Sequence, residues 1–139
     1  MDGILAVEDE KRVRLGQAKE GFMKEIINVT LHPLNFLDTD TGEELVVAPS
    51  GVVINAKPSE KEVKVEDGVT FVATTFVTDP ASEAALAELE KNNPGSVIVG
   101  SLVAAQAYPG RVCGLVPAKG FERMPPNEKR MNPKKFNIF

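Results

Sequence analysis

The stretch Asn28-Val29-Thr30-Leu31-His32-Pro33-Leu34-Asn35-Phe36 most constrains how the chain can fold. Apolar Val29, Leu31 and Leu34 or Phe36 alternate with polar Asn28, Thr30, His32 and Asn35, the two-residue period of a strand with one wet face. Pro33 interrupts that rhythm. A proline cannot donate to a sheet ladder, so the strand is expected to lie at an edge or to bend there. Four hydrogen-bonding side chains are then held on a stiff element, as a binding surface or as the solvated face of an edge strand.

The remaining segments supply the partners for that strand. Asp38-Thr39-Asp40-Thr41-Gly42 has the composition of a tight turn, and Glu44 to Ala48 a second strand, which together make a hairpin. Pro49-Ser50-Gly51 turns the chain, because Pro presets φ and Gly accepts a positive one. Val52 to Ala56 reads as an apolar strand, Pro58-Ser59-Glu60-Lys61 as a polar break, and Glu62 to Val65 as a short strand. After the turn signal Glu66-Asp67-Gly68, Val69 to Thr78 alternates β-branched and aromatic residues.

Helix signals lie further on. Asp79-Pro80-Ala81-Ser82-Glu83 combines a capping carboxylate, a proline at the first helical position and an early acid. The helix from Pro80 to Lys91 carries an apolar stripe of Ala84, Ala85, Leu86 and Leu89 and stops by Asn92-Asn93-Pro94-Gly95. Ser96 to Val99 follows as a buried strand, Leu102 to Ala107 as a small-residue helix, and Val112 to Val116 as a further strand. Residues 1–23 read as an added amphipathic helix, from about Val7 to Met23, and residues 24–118 as the core. Residues 119–139 read as a Pro-rich basic arm, because Pro125, Pro126 and Pro133 favour extension. The expected class is α+β, a single domain of mainly antiparallel β-sheet with short packed helices.

Composition narrows the chemistry. A chain of 139 residues buries a core without metal or disulfide, and the single cysteine, Cys113, has no internal partner, which fits a cytosolic protein. No apolar run reaches the length of a membrane span, so no membrane association is expected. A net charge of -4 argues against polymeric nucleic acid as the ligand. Lys119, Arg123, Lys129, Arg130, Lys134 and Lys135 make the C-terminal segment basic, suited to an anionic ligand or a neighbouring subunit, or simply solvated.

Catalysis finds little support: His32 is the only histidine, and neither a nucleophile elbow nor a phosphate-cradling glycine loop is present. No enzyme, metal or cofactor is expected. Asp38 and Asp40 read as turn residues. Binding chemistry is better represented. Asn92 and Asn93 carry amides able to read a base edge or ribose, Arg111 follows a glycine turn and can fork a phosphate, and Phe71 or Phe76 can stack on a heterocycle. Each also has a plainer reading: helix cap, surface charge, core packing.

Asn28-x-Thr30-x-His32-x-x-Asn35, Pro49-Ser50-Gly51, Val97-Ile98-Val99-Gly100-Ser101-Leu102-Val103-Ala104 and Gly110-Arg111 occur in this order. Together they resemble small phage proteins, some of which are the Thoeris anti-defence sponges that trap a cyclised ADP-ribose signal. The resemblance covers roughly residues 26–117. It implies a non-catalytic protein in the host bacterial cytoplasm that sequesters a cyclic ADP-ribose isomer or another cyclic nucleotide, including cyclic di- or trinucleotides. It also implies homodimers that can assemble further into hexamers. Transferred to this chain, it marks Asn93, Arg111 and Phe71 or Phe76 as binding residues. The family's arginine after Pro-Ser-Gly is replaced here by Asn55, with Lys57 close by, and Val112 and Cys113 fill the place of its aspartate. The competing reading is a phage structural protein, such as a capsid decoration, whose two appended ends bind neighbouring subunits.

Overall fold

The computed structural model describes residues 24–139, so the expected helix in residues 1–23 lies outside the described residues. The elements are β1 (Ile26–Asn28), β2 (Leu34–Asp38), β3 (Glu43–Val47), β4 (Lys57–Glu66), β5 (Val69–Val77), α1 (Pro80–Asn92), β6 (Val97–Val99), α2 (Leu102–Ala107), β7 (Gly114–Pro117) and β8 (Met131–Asn137). The class is α+β, as the sequence indicates. The sheet is not one, however, but three: β1-β6, β3-β2-β8-β7 and β4-β5.

The first of these is parallel, with Ile26, Ile27 and Asn28 opposite Val97, Ile98 and Val99. Isolated bridges extend it on both sides, Asn28 to Pro49 and Val99 to Cys113, giving four adjacent tracks. The single strand expected over residues 28–36 is thus two strands separated by a turn. Its cause is Asn28, whose side chain is fully buried. Asn28 Nδ2 donates to the carbonyls of His32 (2.7 Å) and Val47 (3.2 Å), while Oδ1 accepts from Thr30 N (2.8 Å) and Thr30 Oγ1 (2.7 Å). All four hydrogen-bonding positions of the amide are filled. The chain curls over residues 30–33 around it, and Pro33 falls in that turn rather than in a ladder.

The two hairpins follow their turn chemistry. Between β2 and β3, Gly42 has φ 79° and its N–H donates to Asp38 O. Asp67 and Gly68 both have positive φ, 48° and 79°, the mirror-image two-residue turn that suits the twist of paired strands. β4 is longer than expected. Residues 58–61 belong to it rather than forming a break, and the strand keeps its proline because it has a partner on one side only. Residues 52–56, read as a strand, form no regular ladder; Ile54 N donates to Val29 O at 3.2 Å, and Val52 N and Asn55 N go to the hydroxyls of Ser50 and Ser82.

The C-terminal arm is also corrected. β8 lies inside the four-stranded sheet, parallel to β2 and antiparallel to β7, and Pro133 is buried. The sheet accommodates this proline where the β7/β8 register is irregular, between Leu115 and Pro117, and Asn132 Oδ1 accepts Lys134 N (2.8 Å) across the same bend. Phe136 then meets Phe36 edge-on, with centroids 6.3 Å apart.

Two apolar clusters result. Phe36, Leu34, Leu45, Val47, Ile26 and Val99 fill the space beside the four-stranded sheet. Val29, Ile54, Leu86, Ile98, Tyr108 and Val112 form the other, beneath the helices. Gly100 stands where the parallel tracks meet α2: a Cβ there would lie 2.9 Å from Val112 Cγ1 and 3.2 Å from Val29 Cγ2. Only hydrogen fits that gap.

Replacing Asn28 with Ala orphans the His32 and Val47 carbonyls. It is expected to cost about 2–3 kcal/mol, read as a lower urea midpoint with an unchanged slope. A second outcome concerns Asp38, whose carboxylate lies 2.9 Å from Lys134 Nζ; that hydrogen bond lowers its pKa from the usual 3.8. A lowered carboxyl pKa contributes stability above the unfolded value that is lost as pH falls through the folded one. Lys134→Met should therefore raise the Asp38 midpoint seen by NMR and remove part of the loss of stability below pH 3.8.

Candidate functional site

Asp79 caps α1 by accepting Ser82 N (3.1 Å), with Pro80 in the first turn. Ser82, itself buried, accepts Asn55 N on its hydroxyl (2.9 Å). Tyr108, the only tyrosine, caps the C-terminal end of α2. Its ring is buried, and its hydroxyl accepts Asp79 N (2.9 Å) and lies within donating distance of the carbonyls of Asp79 (3.2 Å) and Asn55 (3.3 Å). One phenol thus ties together the start of α1, the end of α2 and the segment leading into β4.

Arg111 follows the Gly110 turn, where φ is 77°. Its guanidinium carbon stands 6.0 Å from the Tyr108 ring centroid. Nε and Nη2 fork onto Glu90 at 3.0 and 2.9 Å, and Nη1 reaches Glu83 at 2.8 Å. Glu83 and Glu90 share one face of α1 because they are two helical turns apart. The Glu90 hydrogen bonds, with Glu83 adding to them, hold the guanidinium pKa above its usual value despite partial burial. One cation between two carboxylates leaves the cluster with a net negative charge. Arg111 is therefore not the free surface charge of the plain reading, and it is not an open phosphate fork either.

The other sequence-predicted residues divide by location. Asn55 and Phe76 lie around the α1–Tyr108 node, Asn55 through its backbone and Phe76 packed against the same apolar cluster as Tyr108. Lys57 opens β4 beside them, opposite Val77. Asn93 is the C-cap of α1, its amide donating to Leu89 O (3.0 Å), while Asn92 Nδ2 donates to Glu88 (3.3 Å). Phe71 stands apart, five residues and about 17 Å along β5 from Phe76, exposed and beneath the Lys64 ammonium at 5.2 Å. Within one chain, Phe71 and Arg111 do not face a common ligand.

Sequence reading missed Tyr108, Glu83 and Glu90. The carboxylate pair was detectable as two acids on one face of a helix, but its arginine, 21 residues beyond Glu90 and past β6 and α2, was not, and neither was the buried hydroxyl, since its partners are backbone atoms. Cys113 bridges to Val99, and burial pushes its thiol pKa up, away from nucleophilic use. Among the described residues no group of His, Cys, Asp and Glu has the arrangement of a metal site, and no helix is long and apolar enough to cross a membrane. Comparison with family models, curated proteins and solved structures gives no match.

The part-exposed ion pairs around Arg111 are worth little to folding, so Glu90→Gln should change unfolding free energy by less than about 1 kcal/mol. The same substitution frees one arm of the guanidinium, and affinity for inorganic pyrophosphate, followed by calorimetry, should rise several-fold.

Proposed function

We propose that this protein is a phage anti-defence sponge, a homo-oligomer that binds a cyclic ADP-ribose-type signalling nucleotide in the host bacterial cytoplasm and releases it chemically unchanged. One observation carries the reading. Parts of the four sequence blocks that carry the resemblance, distant in the chain, meet in adjacent tracks: Asn28 of the first beside Pro49, β1 beside β6, and Val99 beside Cys113, two residues beyond Gly110-Arg111, while Asn35 of the first block lies in β2 of the neighbouring sheet. Order and spacing that produce one contiguous unit are harder to match by chance than isolated motifs.

The chemistry of the node supports the ligand class. A guanidinium held in a fork on a carboxylate presents the same paired donors that a phosphate accepts. Tyr108 stands beside it, Asn55 N meets Ser82 at the start of α1, Phe76 packs against the Tyr108 cluster, and Lys57 follows two residues after Asn55, opposite Val77. In this reading the nucleotide's pyrophosphate displaces Glu90, and the adenine takes an aromatic shelf from Phe76 or from Phe71 of another copy. Cyclic di- or trinucleotides form a second class of ligand to be tested.

A structural role in the phage particle is the second reading, favoured by one feature, the largely exposed β4/β5 ribbon. Titrating the protein with a panel of cyclic ADP-ribose isomers and cyclic oligonucleotides, then releasing bound material by heat, separates the two. The sponge reading expects tight binding, nanomolar affinity being about -12 kcal/mol, recovery of intact ligand, and about tenfold or greater weakening in Arg111→Ala. Absence of heat with every member, or recovery of hydrolysed ligand, overturns it; co-purification with virions supports the structural role.

A further inference from the structure

The β4/β5 ribbon is a sheet of its own, and α2 packs against β5. A two-stranded ribbon is marginal in water and gains stability from a covering element. Its two faces differ in charge. Residues directly opposed across a strand pair share a face, so Lys57, Lys61 and Lys64 stand on one with Val77, Ala73 and Phe71. Glu60 stands on the other, as does Phe76, which packs into the cluster of Tyr108. The acidic face is therefore turned to the core at its root, and the lysine face is turned away.

That outer face is incompletely matched. Val77 keeps 43% of its surface exposed. Lys64 is engaged, over Phe71 and 3.4 Å from Glu66, whereas the ammonium groups of Lys57 and Lys61 have no carboxylate partner among the described residues.

The start of the described chain lies at the opposite end of α1 from the ribbon. Glu25 O accepts Val97 N (2.8 Å) and Glu25 Oε1 accepts Ser96 Oγ (3.3 Å), just after α1 ends. The ribbon root is at the other end, since Val77 leads directly into the Asp79 cap. The 13 residues of α1 set these points about 20 Å apart. Residues 7–23, amphipathic by sequence, span about 25 Å as a helix. Laid back along α1 from Lys24, that length brings Glu8-Asp9-Glu10 to the ribbon root and Ile4-Leu5-Ala6-Val7 onto its outer face. Arg12 and Arg14 then pass the net negative cluster of Glu83, Glu90 and Arg111. The charges complement one another in chain order: acids over lysines, then arginines over acids.

We infer that residues 1–23 fold back and dock on the lysine face of the ribbon of the same chain. Glu8, Asp9 and Glu10 pair with Lys57 and Lys61, Ile4 and Val7 cover Val77 and Ala73, and Phe71 towards the ribbon tip stays open. The mixed character of the face selects this occupant. A small anion would satisfy the lysines and leave Val77 in water, and a net charge of -4 disfavours a polyanion. The short tether at Lys24 gives the segment an effective concentration of about millimolar, ahead of any second copy.

The test is zero-length carbodiimide coupling of carboxylates to amines in the full chain, in an equimolar mixture of unlabelled and nitrogen-15-labelled protein without nucleotide. Mass spectrometry should find Glu8, Asp9 or Glu10 joined to Lys57 or Lys61, with both peptides carrying the same isotope. No such link, or links that join labelled to unlabelled copies as often as like to like, overturns the inference. A second arm reads deuterium exchange of the β4 and β5 amides. Glu8→Lys/Asp9→Lys/Glu10→Lys should speed it about threefold or more, the scale of exposed ion pairs, and adding Lys57→Glu/Lys61→Glu should restore protection. Unchanged exchange in the first variant, or no recovery in the second, also overturns it. Neither arm involves a ligand, so the result is independent of the sponge reading.

Discussion

A single buried amide sets the geometry on which the rest of the protein is built. Asn28 accepts and donates with all its capacity inside the molecule, drawing the turn at residues 30–33 and the end of β3 to the same point. A polar group so placed is costly without its partners and strongly specifying with them. It ends β1 after three residues and points the chain into β2, so that one continuous polypeptide enters two different sheets. Behind it, the backbone of Asn28 receives Ser50 N at 2.9 Å, and Val29 N donates to Val99 O at 2.9 Å. The close approach at Gly100 follows from the same arrangement, since Val29, Val112 and the start of α2 converge on one point.

What could be read from the sequence follows how local each cause is. Asp79 and Pro80, the Asp38–Gly42 turn and the Asp67-Gly68 hairpin are specified within a few residues of where they act, and each was legible. The alternation in β5 was legible for the same reason. The parallel pairing of β1 with β6 was not, because nothing in two three-residue apolar runs states which neighbour each will find. β8 was hidden by its own composition: Pro133, Lys134 and Lys135 describe a solvated arm, and only the irregularity opposite β7 makes room for the proline. Asn28 was noticed as a polar residue on a stiff element. Its role as the amide that terminates the element depends on carbonyls, of Val47 above all, that lie far along the chain.

The candidate site shows the same division at the level of chemistry. Arginine, asparagines and phenylalanines were identifiable as residue types suited to a nucleotide, but their present partners were not. Arg111 is occupied by Glu90 and Glu83, Asn93 by the end of its own helix, and Phe71 is far from both. A type of residue says what a side chain can bind. Only its neighbours say what it binds now.

Those neighbours bear on how an anion could enter. The guanidinium already has its paired donors aligned, held from below by the Tyr108 ring and along α1 by the two carboxylates, so little side-chain entropy is left to lose on binding a phosphate. Against this stands electrostatics: a pyrophosphate added to an arginine that keeps both carboxylates meets a net negative cluster. On the proposed function, entry requires Glu90 to swing to solvent, which its partial exposure permits at modest cost because part-exposed ion pairs are weak. The same substitution of one acceptor for another would give selectivity, since a monoanion gains too little to displace a carboxylate that is already in place. An occupied arginine is on this account a gate set by charge, and a second basic group near the site, Lys57 of the same chain being the nearest in sequence to the Asn55 node, would decide whether the exchange is favourable.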